Sequence, residues 1–572
     1  MKHYYLLFAV IFVFGCKNKD AETESIRVTS PKGCYTPKTT DKDWYALNQK
    51  APKFKGLDGI DFKITTHNKE AQQYFNQGMM LAYGFNHAEA ARSFFEASRL
   101  DPKCAMAYWG FAYVLGPNYN AGMEEDNFQR AYDAVQKAKS LSVNSSPKEK
   151  ALIEALTTRY ASKPPADRRP LDIAYATAMK KVYTQFSSDP DIGALYAESL
   201  MNLHPWDLYD KNTGAIKEWT PEIVKVLEAL MIKNPKHPGA HHFYIHAIES
   251  SATPEKAMKS AKLLESLVPG AGHLIHMPSH IYIRTGDYHQ GSLSNIEAAR
   301  IDSIYTTTCH AQGAYPLAYY PHNYHFLTAT AALEGNSKLA WNTAKVLQEH
   351  TSVEIMRQPG WGTLQHYYTI PYYIAVKFAM WDTIISLPKP DKDLIYPQLV
   401  WHYARGMAFL GKNNMTEAQN ELSALNKLSK DSSLKDITVW NINKITDLAD
   451  IASKVLAGNI AFKQNDLPKS VSLLTEAVAL EDRLNYNEPP DWFFSIRHYL
   501  GAVLLKAEKY AEAEKIYRRD LQIWPKNGWA LIGLYNSLTQ QKKGKEALQI
   551  KNAFDESWKY ADFKIVSSSS LN

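Results

Sequence analysis

A 34-residue spacing recurs along this chain and constrains its fold more than any other feature. The clearest copy begins near Ala71: Tyr74, Gly78, Leu81, Ala90, Phe94, Ala97 and Pro102 fall at positions 4, 8, 11, 20, 24, 27 and 32 of the frame. The demand is steric. Small residues at 8 and 20 let two helices approach, large apolar residues at 4, 11 and 24 fill the space between them, and proline at 32 ends the second helix. The frame returns with varying fidelity. Pro235 and Pro269 bracket a unit with Ala257 and Ala261, the unit 272–305 carries Gly286-Asp287-Tyr288 at its turn, and Gly335, Ala340, Ala344 and Leu347 mark a unit from 321. Later copies start near 365, 399, 451, 494 (Gly501, Ala513, Tyr517, Pro525) and 528. No strand-like alternation of useful length competes. One such hairpin cannot bury its apolar face alone, so about ten of them must stack into one continuous core.

This pattern resembles the tetratricopeptide repeat. The resemblance implies an all-α chain, an α-solenoid of about ten helix hairpins with a concave groove, in a family whose members mostly act as binding scaffolds. It divides the chain into an irregular N-terminal cover (46–70), an N-terminal array (71–305), an insertion (306–320), a C-terminal array (321–562) and a tail (563–572), whose end from Ser567 reads as frayed.

The amino terminus carries a separate signal. Lys2 and His3 precede an apolar run from Tyr4 to Phe14, too short for a bilayer span but fit for a secretory signal. It ends in Val13-Phe14-Gly15-Cys16, which resembles the bacterial lipobox. That resemblance implies a signal peptide over 1–15, acylation (palmitate class) of Cys16, and a lipid-anchored protein of the bacterial cell envelope, on the periplasmic or surface face, with Lys17 favouring the outer membrane. An ordinary cleaved signal is the alternative. Residues 16–45 read as a polar tether. Without Cys16 three cysteines remain, Cys34, Cys104 and Cys309, so no complete disulfide framework exists and stability must come from packing. Hydrophobic residues at 45% and charged residues at 22% exclude wholesale disorder. The net charge of +6 is spread without long single-sign runs, so it gives no argument for a nucleic-acid partner, and none is expected.

The histidines are unevenly placed. Fourteen of the 19 lie between residues 204 and 366, where an even spread would put about five. In the repeat frame His242 and His246 occupy positions 5 and 9; His273, His276 and His280 occupy 2, 5 and 9; His322 and His325 occupy 2 and 5; His366 is at 2 and His204 at 12. Those positions share one stripe of the first helix of each hairpin. In the family this stripe faces the groove, which gives a candidate ligand wall of His204, His242, His246, Glu249, His273, His276, His280, Arg284, His322, His325 and His366.

Three readings compete. An i,i+4 imidazole pair with a third from the next helix suits zinc or copper; the candidate ligands are His242, His246, His276, His280 and His325, with His273 and His322 as further members. Glu249 is then a ligand, a partner of a ligand, or a general base. A metal-free polar groove would hydrogen-bond a peptide or an anion, with Arg284 supporting charge. Separate packing roles are the plainest alternative. The stretch Tyr486–Trp492 with Arg497-His498 forms a second inward polar patch, and the insertion, with Cys309 and His310, is either a lid or a connection. No Walker loop, dinucleotide glycine pattern, nucleophile elbow or His-Glu-x-x-His occurs. The sequence therefore points to an envelope-anchored scaffold binding a peptide, protein or small molecule in a histidine-lined groove. The alternatives are a metal-dependent enzyme of unfamiliar type and a starch-binding-type glycan uptake lipoprotein; the regularity of the frame weighs against the last.

Overall fold

A computed structural model of the chain describes residues 41–47, 49–210, 213–309 and 315–571. Cys16, Cys34 and His310 lie outside the described residues. Antiparallel helix pairs follow one another, each helix packed against its neighbours in sequence, so the chain is an α-solenoid. The first pair, Lys69–Tyr83 and His87–Leu100, illustrates how the residues build it. The Asn68 side chain accepts from the N–H groups of Glu70 and Ala71 and so starts the first helix. Phe94 then fits between Gly78 of its own hairpin and Gly110 of the next; a Cβ on Gly78 would stand 2.7 Å from the Phe94 ring. Near the other end Gly501 and Gly533 enclose the ring of Tyr517 in the same way. The small residue at position 8 is thus space cut for the ring at position 24, and the following unit supplies a matching glycine at its position 6.

The solenoid also closes on itself. In an open array each unit touches only its neighbours. Here the Tyr288 hydroxyl donates to the Pro525 carbonyl at 2.7 Å, Trp529 Nε1 donates to the Ala332 carbonyl at 3.3 Å, and Lys526 pairs with Asp287 at 2.9 Å. On the other side Tyr305 donates to Asn86 and the Gly270 N–H to the Gly56 carbonyl. Gly286, at a φ of +76°, makes the tight turn that brings its backbone against Pro525. The open groove expected from the repeat is therefore an interior space, because contacts across as many as 239 residues draw the two arrays together.

Three irregular segments contribute. Residues 49–68 lie along the first helix, where the Tyr74 hydroxyl donates to the Ala51 carbonyl and Gln77 bonds the backbone on either side of Pro52–Phe54. A two-residue ribbon, Thr438–Val439 paired with Asn443–Lys444, carries Trp440 and Asn441 at its tip, both at positive φ. The end of the chain, expected to fray, docks: Ser568 donates to the His498 carbonyl and bonds Tyr517, and Leu571 is buried. Its hydroxyls find acceptors inside the C-terminal array, which a reading of composition cannot anticipate. Among the described residues no helix is long and apolar enough to cross a membrane.

Candidate metal centre

Three helices carry the central histidines. Pro238–Ile248 presents His242 and His246 one turn apart, with Glu249 just past its end. Gly272–His276 and Pro278–Thr285 form one nearly continuous rod, interrupted at Met277 where Pro278 lacks an N–H; they carry His273, His276 and His280. Tyr320–Leu333 carries His322 and His325. The ligand atoms of His242, His246 and His273 lie within 4.8 Å of one another, and so do those of His276, His280 and His322. Phe85 lies against the first trio, 4.6 Å from the His242 ring, and Phe326 against the second, 4.4 Å from His280. All six are buried except His322, which is half-buried.

The outer nitrogens of four of these rings are committed as donors. His242 Nδ1 donates to the Tyr83 carbonyl at 2.6 Å, and that carbonyl offers no proton. His246 and His280 donate from Nδ1 to the two oxygens of Glu249, at 2.6 and 2.5 Å. His276 Nδ1 lies 2.7 Å from Asn295 Oδ1, and the amide orientation is set by Asn295 Nδ2 donating to the Gly291 carbonyl. A neutral imidazole has one N–H, so the Nε2 atoms of all four present lone pairs. Burial drives His242 and His276 well below the ordinary imidazole value, and neighbouring imidazoles push the same way. For His246 burial also lowers the value, against the pull of Glu249. Burial alone would raise Glu249, but His280 and His246 outweigh it and hold the carboxyl down to about 2.

The consequence is a conflict inside the second trio. His276 Nε2 and His280 Nε2 stand 2.9 Å apart, lone pair toward lone pair when both rings are neutral, a contact that a proton or a metal ion between them relieves. In the first trio His242 Nε2 and His273 Nε2 are 3.2 Å apart, a contact that a proton on His273 Nε2 can satisfy, while His246 Nε2 is buried with no hydrogen-bond partner among the described residues.

A cavity of about 390 Å³ opens beside the cluster, reached by His246, His273, His280 and His322. Its other walls come from distant segments: Tyr119, Trp206, Tyr319, Trp440, Asn487 and Glu488. Trp206 and Trp440 hold positive φ angles of 58° and 52°, a costly backbone state for a bulky residue. Glu488 is buried, and among the described residues no group reaches its carboxylate oxygens at a good hydrogen-bond geometry; the Tyr486 hydroxyl is nearby, and His280 Nδ1 and Arg284 Nε stand 3.7 and 3.8 Å away. Burial raises its carboxyl far above the usual range; Arg284 opposes this and Glu249 adds to it.

The remaining sequence candidates separate from this cluster. His325 points away to His366, Tyr367 and Phe493, and neither of its ring nitrogens finds a hydrogen-bond partner among the described residues. His366 bonds the Tyr396 hydroxyl at 2.8 Å, and His204 stacks on Trp219 at 3.8 Å. Arg284 reaches the Ser251 carbonyl and lies over Tyr486. The second polar patch divides: Asn487 and Glu488 line the cavity, whereas His498 sits apart between Lys377 Nζ at 2.8 Å and Asp520 at 3.0 Å. The insertion re-enters as a π-helical turn, Tyr315–Tyr319, in which Tyr319 faces the cavity and Tyr315 accepts from the His273 N–H. Phe85, Tyr119, Trp206 and Asn295 carry no periodic signal that marks them from the sequence.

No family model matches the chain, and no curated protein matches it. Among solved structures it is similar to the human IFIT1 dimer with m7Gppp-AAAA (12% identity, 86% of this chain and 91% of that one, TM-score 0.30). It is also similar to the APC/C hetero-tetramer Cut9-Hcn1 (13%, 93% and 80%, 0.29) and to yeast Tom70 (14%, 87% and 86%, 0.27).

Proposed function

We propose that this helical-repeat scaffold binds a transition metal of the imidazole-preferring class, zinc or copper, at the floor of its internal cavity, and presents it to a small ligand or peptide side chain entering there. The observation that carries the reading is the His276–His280 pair. Two buried nitrogens whose Nδ1 protons are already committed face each other at 2.9 Å favourably only with a proton or a metal ion between them, and the gap has the width that a shared metal ion sets. Two nitrogens bound to one ion at about 2.0–2.1 Å are roughly 2.9–3.4 Å apart for bond angles near 90–110°. Carboxylate and amide groups holding Nδ1, as Glu249 and Asn295 do, are the usual outer support of a metal-bound imidazole. The test is elemental analysis by inductively coupled plasma mass spectrometry of the full chain in detergent, after metal stripping and dialysis against Zn(II) or Cu(II). Retention of at least one ion per chain is expected; retention of none refutes the reading.

A second reading, metal-dependent catalysis, is favoured by Glu488. A buried carboxyl on the cavity wall, kept protonated by its burial, is placed to donate a proton to a ligand held there. The proposal includes a lipid anchor at Cys16, which would hold the scaffold at a membrane surface.

A further inference from the structure

We infer that the cluster is a paired centre, two three-imidazole sites that hold two metal ions side by side, one on His242, His246 and His273 and the other on His276, His280 and His322. This rests on the metal-binding reading above and deepens it. The second trio carries the conflict of facing lone pairs already described. The first trio has its own, independent signs: His246 Nε2 is an orphaned buried lone pair, and His242 Nε2 is a second lone pair fixed by the Tyr83 carbonyl. Both lie with His273 inside a 4.8 Å group.

The two trios are built alike. Each takes an i,i+4 pair (His242/His246, His276/His280) and one imidazole from the first helix of the following hairpin (His273, His322). Each is closed on one side by a phenylalanine, Phe85 or Phe326. Each sends two rings to the same cavity, so each ion would keep an open position toward a shared space. Glu249 joins them, one oxygen on His246 of the first trio and the other on His280 of the second. The rings of His246 and His280 are 5.7 Å apart, as are those of His273 and His276. Six imidazole donors, four of them lining one cavity, suit two ions that share an oxygen-donor ligand, a water or a small oxyanion, between them.

Stoichiometry decides this. The full chain, stripped and then dialysed against Cu(II), is expected to retain two ions. H242A/H273A and H276A/H280A, each checked by circular dichroism for retained helix, are expected to retain one. A wild type that retains one ion, lost entirely in either variant, overturns the pairing and leaves single-ion binding standing; retention of none overturns both. A measurement free of variants guards against misfolding. Copper spin counting by electron paramagnetic resonance is expected to find clearly less than one spin per copper in the wild type, because neighbouring ions couple. Full, uncoupled spin recovery at two ions per chain would contradict adjacent sites.

Discussion

Replacing Glu249 by glutamine tests how far the outer hydrogen bonds govern the centre. The carboxylate accepts from His246 at 2.6 Å and from His280 at 2.5 Å. A carboxamide keeps one acceptor oxygen and turns an NH₂ toward the other ring. That ring can keep a bond only by moving its proton to Nε2, which removes the lone pair a metal needs. A hydrogen bond to a charged group contributes roughly 1.5–3 kcal/mol, and ~1.4 kcal/mol is tenfold in affinity. Losing one such bond and weakening the other therefore predicts a ~10–100-fold rise in Kd for zinc, the range typical of lost outer partners. Competition against a chromophoric chelator at pH 7 measures it, with a thermal melt to confirm folding. A folded Glu249→Gln chain whose Kd stays within about threefold of wild type would refute the reasoning.

Other consequences reach the scaffold and the anchor. Gly501→Ala places a methyl against Tyr517 and is expected to cost about 1–3 kcal/mol by overpacking, read as a lower denaturation midpoint; an unchanged midpoint would mean the ring is free to move. Burial holds the Lys377 amine down to about 7, with Asp520 pulling it up and His498 and the Trp529 and Phe494 rings facing it. Above pH 7 the unfolded chain binds a proton that the folded one lacks, so stability rises with pH toward about 10, by up to ~1.4 kcal/mol per unit. Lys377→Met is expected to flatten the Tm rise between pH 7 and 9, and parallel curves would contradict that. Cys16→Ser is expected to move the protein from the membrane fraction to the soluble one on cell fractionation; unchanged partition would remove the lipid anchor from the account.

What was legible in the sequence follows from the range of the interactions that set it. The hairpins are local, so glycine at position 8 and an aromatic or apolar residue at 24 announce themselves within one unit. The alignment of His242, His246, His273, His276 and His280 is likewise a matter of helical spacing over about forty residues. Choosing between His322 and His325 was not possible, because positions 2 and 5 differ by about 60° of helix rotation, and the path of the helix sends only His322 to the cluster. The enclosure was hidden altogether. The Tyr83 carbonyl that fixes His242 is 159 residues away, and Trp206, Trp440 and Glu488 come from separate loops. Closing those distances depends on superhelical curvature, which no single repeat encodes.

X-ray absorption at the metal edge of the reconstituted full chain addresses the central claim most directly. The account expects a first shell of nitrogen at about 2.0–2.1 Å with the multiple scattering of several imidazole rings. A shell of oxygen alone, or one containing sulfur, would place the metal elsewhere on the chain and contradict it.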